Sequence, residues 1–189
     1  SAWEMASPYA RSKVAAEDVI KEKASGYTIF RFFNVSGTDG VNRQLGAATH
    51  LIRVAAMVAA GKIPDLKIFG TDYDTRDGTC IRDYIHVVDL AKAHVVALGR
   101  LLNYKNKANY ETFNLGTGTG SSVLEVVKSF EKVSGKKLNY KIVGRREGDI
   151  ISAYADTTKA NDELGWKTKL SLDDAMRSAW NWEKQIRNI

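Results

Sequence analysis

Tyr9 and Lys13 stand four residues apart in the run Pro8-Tyr9-Ala10-Arg11-Ser12-Lys13. On a helix that spacing puts both side chains on one face. A free phenol ionises near about pH 10, too high for a useful base at neutrality. An ammonium beside it favours the phenolate and draws tyrosine toward the working range of a general base. The same pattern also arises by chance on solvated helix faces. A second chemical group is Arg82, where a charged loop containing Gly70, Asp72, Asp74, Asp77 and Gly78 runs into Tyr84-Ile85-His86-Val87. A guanidinium at that seam offers an anion its planar fork of donors, or pairs with one of the nearby aspartates. No group of His, Cys or Asp has metal-ligand spacing. His86 and His94, eight apart, read as packing positions on a strand and a helix.

The elements that must carry these groups follow from local signals. Ser7 followed by Pro8 predicts a helix start, with serine as N-cap. That helix runs through Tyr9, Lys13, Ala16, Val19 and Ile20, and Gly26 ends it. Residues 28–33 are β-rich and predict a buried strand. Residues 34–46 read as loop, and 50–60 as an apolar helix closed by Gly61. Beyond Arg82, residues 84–87 predict a short buried strand. Asp89 occupies the expected N-cap of a helix bearing Leu90, Ala93, His94 and Ala97. Residues 112–115 predict a strand, and Ser122 with Glu125 a capping box. Residues 138–143 alternate as a strand, and 145–149 form a loop. Asp156 is expected to cap a short helix ending at Leu164-Gly165, and Ser171 to Asp174 to open the last helix, which carries Trp180 and Trp182.

Strands alternating with helices predict an α/β fold. The small C-terminal elements suggest a second lobe that closes over a ligand. The run Gly116-Thr117-Gly118-Thr119-Gly120 follows a strand, as a dinucleotide fingerprint would. The acid that should hold the ribose about twenty residues on is missing, since that neighbourhood reads Gly135-Lys136-Lys137-Leu138. The run is therefore read as a tight strand-to-helix turn.

Composition narrows the class. Hydrophobic residues make up 44% of the 189, enough for a real core, and no apolar run approaches membrane-spanning length. No secretory leader is recognisable at the N-terminus. A single cysteine, Cys80, allows no internal disulfide and fits a reducing, cytoplasmic compartment. The net charge of +6 is spread among acids, with short clusters only at Lys136-Lys137 and Arg145-Arg146. A small anionic ligand accounts for that excess as well as nucleic acid does, and neither nucleic acid nor membrane is expected as a partner.

The stretch Phe69 to Leu98, with the long loop DYDTRDGT before RDYIHVVDLA, closely resembles UDP-glucose 4-epimerases (UDP-galactose 4-epimerases) of the extended short-chain dehydrogenase/reductase group. The likeness runs from about Ser7 to the last helix. Related sugar-nucleotide dehydratases look shorter at that loop. The resemblance implies the last part of a doubly wound Rossmann-type domain plus a smaller α/β substrate-binding lobe. Residues 1–36 would be the tail of the NAD-binding domain, whose Gly-rich loop would lie upstream of Ser1. Residues 37–189 would mainly bind the UDP-sugar, with segments near 83–116 returning to the Rossmann sheet. It further implies NAD as a bound redox relay, a homodimer at full length, and a chain that is inactive alone. A sugar-nucleotide 4,6-dehydratase and a non-catalytic nucleotide-sugar binding lobe stand as the alternative readings.

The resemblance also assigns roles. Tyr9 would take the proton from the sugar 4-hydroxyl, and Lys13 would hold the nicotinamide ribose. Phe32 and Phe33 would line the nicotinamide, with Phe32 standing where the family more usually has tyrosine. Asn34 would contact the UDP-sugar. Nucleotide contacts would continue through Thr49, His50 and Leu51, and through Lys67, Ile68 and Phe69 beneath the uracil. Arg82 and Arg146 would neutralise the diphosphate, in the loop that includes Glu147 and Gly148, and Asp149 would accept from the ribose hydroxyls. Ala153 would border the sugar's 2-substituent, where a small side chain leaves room for an acetamido group.

Overall fold

Strand and helix alternate as the sequence patterns require. The computed structural model describes residues 8–42 and 50–189, so the cap expected at Ser7 and the contact expected at Thr49 lie outside the described residues. In chain order the elements are α1 (Pro8–Lys23), β1 (Tyr27–Phe32), β2 (Asn34–Ser36), α2 (Leu51–Ala59), β3 (Leu66–Phe69), β4 (Ile81–Arg82) and β5 (Tyr84–His86). There follow α3 (Val87–Leu102), β6 (Tyr110–Leu115), β7 (Ser121–Ser122), α4 (Val123–Ser134), β8 (Tyr140–Val143), β9 (Ser152–Ala153), one π-helical turn (Ala160–Leu164) and α5 (Leu172–Arg187).

β1 and β6 pair in parallel along their whole length, from Tyr27 opposite Tyr110 to Phe32 opposite Leu115. Successive side chains of a strand point to opposite faces, and β1 shows what covers each. Arg31 donates two hydrogen bonds to Glu17 of α1, at 2.8 and 2.6 Å. Phe30, on the other face, meets Phe113 and the edge of the His94 ring on α3, the latter at 4.9 Å between centroids. Helices on both faces of a parallel sheet are the doubly wound arrangement. The core on the α3 side joins Ile85, Leu90, Phe113 and Leu115 to Leu164 and Trp166. The strand predicted over residues 28–33 breaks at Phe33 and resumes as β2, which pairs in parallel with β5.

A second core lies among α2, α4 and α5, built on Ile52, Ala55, Val126, Phe130, Met176 and Trp180. Its helices begin where the sequence signals put them. Ser122 with Glu125 and Ser171 with Asp174 both form complete capping boxes, each satisfying backbone donors reciprocally. Among the described residues no helix is long and apolar enough to cross a membrane.

The expected cap at Asp89 is corrected. α3 starts at Val87, and its N-cap is His86, whose Nδ1 accepts from the Val88 N–H at 3.1 Å. Asp89 is buried in the first turn, where one carboxylate oxygen accepts from the N–H groups of Lys169 and Leu170, both at 2.8 Å. It ties α3 to the approach to α5. Asp156 accepts from the Thr158 N–H at 3.1 Å, and the turn it leads into is π-helical over Ala160–Leu164.

The neighbours of His86 determine its tautomer. Ser178 Oγ donates to the Ala175 carbonyl and accepts from the Thr38 N–H, so His86 Nε2, 3.1 Å away, donates to it. Protonating Nδ1 would set an N–H against the Val88 N–H. Burial pushes the imidazole below its ordinary value, against smaller opposing pulls from Asp89 and Asp174, and burial does the same to His50. A histidine held low when folded takes up protons on unfolding once the pH drops below the free value of about 6.5. The urea midpoint is therefore expected to fall as pH is lowered from about 7 to about 5. His86→Asn, whose side-chain oxygen can still cap α3, should flatten that decline, and a pH series of urea melts reads it directly.

Candidate active site

Arg82 ends a two-residue strand held on both sides. β4 pairs antiparallel with β7 and in parallel with β9, so Arg82 faces Ser121 on one side and Ala153 on the other. Partners in register share a face of the sheet, which puts the Arg82 and Ala153 side chains together. Tyr154 turns the other way and closes on Gly120 together with Ile81. Arg82 Nη1 donates to the Ile81 carbonyl at 2.8 Å, and its Nη2 lies 3.6 Å from Asp149 Oδ1. Of the two readings of Arg82, pairing with an aspartate is realised, through Asp149 rather than an acid of the preceding loop. At 3.6 Å that contact is a loose ion pair, and it leaves donors of the fork for an anion.

The loop after β8 brings a second arginine alongside. β3 and β8 run in parallel, Phe69 opposite Val143, and the Gly70 N–H donates to the Val143 carbonyl at 2.9 Å. The chain then turns tightly, the Asp149 N–H donating to the Arg146 carbonyl at 3.2 Å. Gly148 makes that turn with φ of +77°, a region costly for any residue bearing a Cβ. The Arg146 guanidinium stacks 4.2 Å over the centre of the Phe69 ring, a cation–π contact. Phe69, Arg146, Asp149, Arg82 and Ala153 thus form one connected surface, with exposed Glu147 and Gly148 at its rim. Two guanidiniums beside an aromatic ring can hold a diphosphate and stack a base.

Three expected contacts are placed differently. Ile68 is 1% exposed and points into the core, because alternation along β3 turns its neighbours Lys67 and Phe69 the other way. Its side chain is therefore removed from the expected set. Leu51 packs against the α2 core. His50 occupies the N-cap of α2 without making a cap bond, and it faces a cavity of about 570 Å³ together with Arg53, Trp182 and Glu183. No hydrogen bond or ion pair among the described residues links it to Arg82 or Arg146.

What sequence reasoning missed is Asp83. Its carboxylate is fully buried. Oδ1 accepts from the Thr117 N–H at 2.8 Å and the Thr117 hydroxyl at 2.7 Å. Oδ2 accepts from the Gly118 and Ala155 N–H groups, both at 3.2 Å. The glycine run is thus a turn wrapped around an internal carboxylate, and its N–H groups are not free for a cofactor's pyrophosphate. A glycine run with no ribose acid, together with a lone acid just before a buried strand, was the available signal. The long loop is pinned nearby: Arg76 donates to Glu125 and to the Gly120 carbonyl, and Asp77 accepts from Thr79 and Ser122.

Tyr9 and Lys13 do share a face of α1, the Lys13 ammonium lying 5.3 Å from the centre of the Tyr9 ring. Tyr9 is 71% exposed, and α1 buries none of its residues. Phe32 is exposed at the C-terminal end of β1 and Phe33 is half-buried beside it. Asn34 is drawn to the Arg82 strand through its N–H, which donates to the Asp83 carbonyl at 2.9 Å. Among the described residues no group of three or more His, Cys, Asp or Glu could hold a metal ion.

Comparison with known proteins adds a family. The model of the family described as GDP-mannose 4,6 dehydratase matches residues 2–179. The human UDP-glucose 4-epimerase is 45% identical over 188 residues, which covers 94% of this chain and 53% of the relative. The crystal structure of the Stenotrophomonas maltophila UDP-glucose 4-epimerase, with bound NAD and formylated UDP-arabinopyranose, superimposes with a TM-score of 0.89 at 39% identity, covering 96% of this chain and 56% of that one. The Bifidobacterium longum enzyme in complex with NAD+ and UDP gives 0.85 at 42% identity, with the same two coverages. The chain spans about half the length of the curated relatives it matches.

The Asp83 turn yields a stability contrast. A Cβ at Gly116 would stand 2.3 Å from Asp83 Oδ2 and 2.7 Å from the Ala155 Cβ, with no flexible group to yield. Gly135, the left-handed cap of α4, opens into empty space. Gly116→Ala should cost about 1–3 kcal/mol or more through overpacking. Gly135→Ala should cost only about 1 kcal/mol, through its backbone conformation. Chemical denaturation of the two variants measures the difference.

Proposed function

This chain belongs to the GDP-mannose 4,6 dehydratase family, and we propose that within it the chain carries the proton-transfer and nucleotide-binding parts of a UDP-glucose 4-epimerase. The observation that carries the reading is the cluster of Arg82, Arg146, Asp149 and Phe69, in a chain whose curated relatives are UDP-glucose 4-epimerases. The substrate is UDP-galactose or UDP-glucose. The arginines neutralise its diphosphate, Phe69 lies beneath the uracil, and Asp149 accepts from the ribose hydroxyls. Arg82 exchanges its loose contact with Asp149 for charge-assisted bonds to phosphate oxygens.

NAD fits this chain at one end only. Tyr9, Lys13 and the exposed Phe32 can receive the nicotinamide and its ribose, while the glycine turn that might have cradled the pyrophosphate is filled by Asp83. When bound, NAD supplies a reversible hydride acceptor at the sugar's C4. Tyr9 removes the 4-hydroxyl proton and later returns it. Lys13 favours the ionised phenol and holds the ribose. Because Tyr9 is open to solvent on a helix that buries nothing, the dry surroundings this chemistry needs come from further polypeptide, and the 189 residues alone are inactive. By the same reading the full-length protein is a cytoplasmic homodimer.

The test grafts these residues in place of the matching segment of the Bifidobacterium longum enzyme. The chimera should interconvert UDP-galactose and UDP-glucose. Tyr9→Phe should lower its kcat by roughly 10²–10⁴-fold, the contribution of a general base, with UDP-sugar binding retained. A chimera that folds, binds NAD and turns nothing over would sink the proposal.

Sugar tolerance follows from Ala153. Its methyl group shares the Arg82 face, and the bulky Tyr154 beside it is committed to Gly120 on the opposite one. The space left by alanine accommodates a 2-acetamido group, so the enzyme also interconverts UDP-GalNAc and UDP-GlcNAc. In the chimera, Ala153→Tyr should lower kcat/KM for UDP-GalNAc far more than for UDP-galactose. Equal losses for the two sugars would show that Ala153 does not border the 2-substituent.

A further inference from the structure

We infer that Asp83 is a positioning residue for the nucleotide-sugar site, acting through Arg82. The inference rests on the reading of Arg82 as a diphosphate contact. Asp83 is bonded to Arg82 in sequence and touches two further candidate contacts through its main chain. Its N–H donates to the Ala153 carbonyl at 3.1 Å, and its carbonyl accepts from the Asn34 N–H at 2.9 Å. Residues assigned to the sugar and the diphosphate, from three separate segments, are therefore referenced to one residue.

The side chain determines where that residue can sit. Thr117, Gly118 and Ala155 all donate to the carboxylate, which is 0% exposed. The Ala155 bond holds the segment that leaves β9 after Ala153, and the Thr117 and Gly118 bonds hold the turn leading to β7, the other neighbour of β4. A carboxylate suits this place because every surrounding group is a donor. An asparagine would turn its NH₂ toward N–H groups in either orientation, so β4 would have to shift to relieve it. A shift there moves the Arg82 guanidinium off its anion, and misplacement by about an ångström is enough to lose much of what such a contact contributes.

A purely structural Asp83 would make a different mark. Its loss would lower the melting temperature and leave the affinity of the molecules that remain folded unchanged. The experiment is a double-mutant cycle on the 189-residue chain. UDP is titrated calorimetrically into the parent, Arg82→Ala, Asp83→Asn and the double variant, at a temperature where circular dichroism shows all four folded. Arg82→Ala should weaken binding roughly 10- to 100-fold, the range for hydrogen bonds to charged groups, and Asp83→Asn by about tenfold. The double variant should bind no more weakly than Arg82→Ala alone, because a residue acting through Arg82 has nothing left to align.

Losses that multiply, or an Asp83→Asn variant with parental affinity, would overturn the positioning role and leave the nucleotide site standing. A parent chain that does not bind UDP, or binds it equally well without Arg82, would overturn the site and the positioning role together. Should Asp83→Asn not fold, Thr117→Val replaces it in the cycle. That change removes the hydroxyl donor at 2.7 Å together with the same hydroxyl's contacts to Thr119 within the turn, and should weaken UDP binding in the same non-additive way. Parental affinity in that folded variant would count against the inference.

Discussion

A carboxylate sealed from solvent has to be surrounded by donors that replace its lost hydration, and the donors around Asp83 come from two distant stretches of chain. The glycine turn after β6 contributes Thr117 and Gly118, and the segment leaving β9 contributes Ala155. The junction of β4 and β5 is fixed at the point where they converge. That constraint explains features otherwise unrelated. Gly116 has no room for a side chain because the carboxylate lies against it. β4 is only two residues long yet is flanked on both sides. Breaking such a cluster by removing one partner is costly, since it strands a buried charge or leaves N–H groups unpaired.

The cationic groups divide by the company they keep. Arg31 and Arg100 are bound bidentately to Glu17 and Glu111, and their work is to join a helix to a strand. Arg76 fastens the long loop to the start of α4. Arg145 stacks on Tyr73 while donating to Asp72. Arg82 and Arg146 stand apart from these, one in a loose contact with Asp149 and the other resting on an aromatic face. Two guanidiniums thereby share the surface that carries Phe69 and Asp149.

Much of the architecture was legible because its causes are local. The two capping boxes are chemistry between residues three apart, and the sequence displays both partners. The glycine run was separable from a dinucleotide loop because the required acid was missing. Where the reading failed, the deciding partner was remote. Asp89 has the composition of an N-cap, but an imidazole three residues earlier takes that place and Asp89 is drawn to the main chain at Lys169 and Leu170. Ile68 lies in a run whose alternation was visible, but which side faced the core depended on how β3 meets β8. The pairing of Arg82 with Asp149 depends on strand neighbours that no spacing rule announces.

The helix bearing Tyr9 has a dynamic consequence of its own. None of the sixteen residues of α1 is buried, so neither core holds it in place. Among the described residues its attachments include the ion pair between Glu17 and Arg31, with Lys21 reaching the Tyr110 ring. Helices in proteins draw most of their stability from tertiary packing of an apolar face rather than from propensity. In these 189 residues taken alone, amide protons along α1 would therefore exchange more readily than those beside the buried Phe113 or Phe130. Arg82 stands on a strand paired at both edges, whereas Tyr9 stands on a helix with no buried residue.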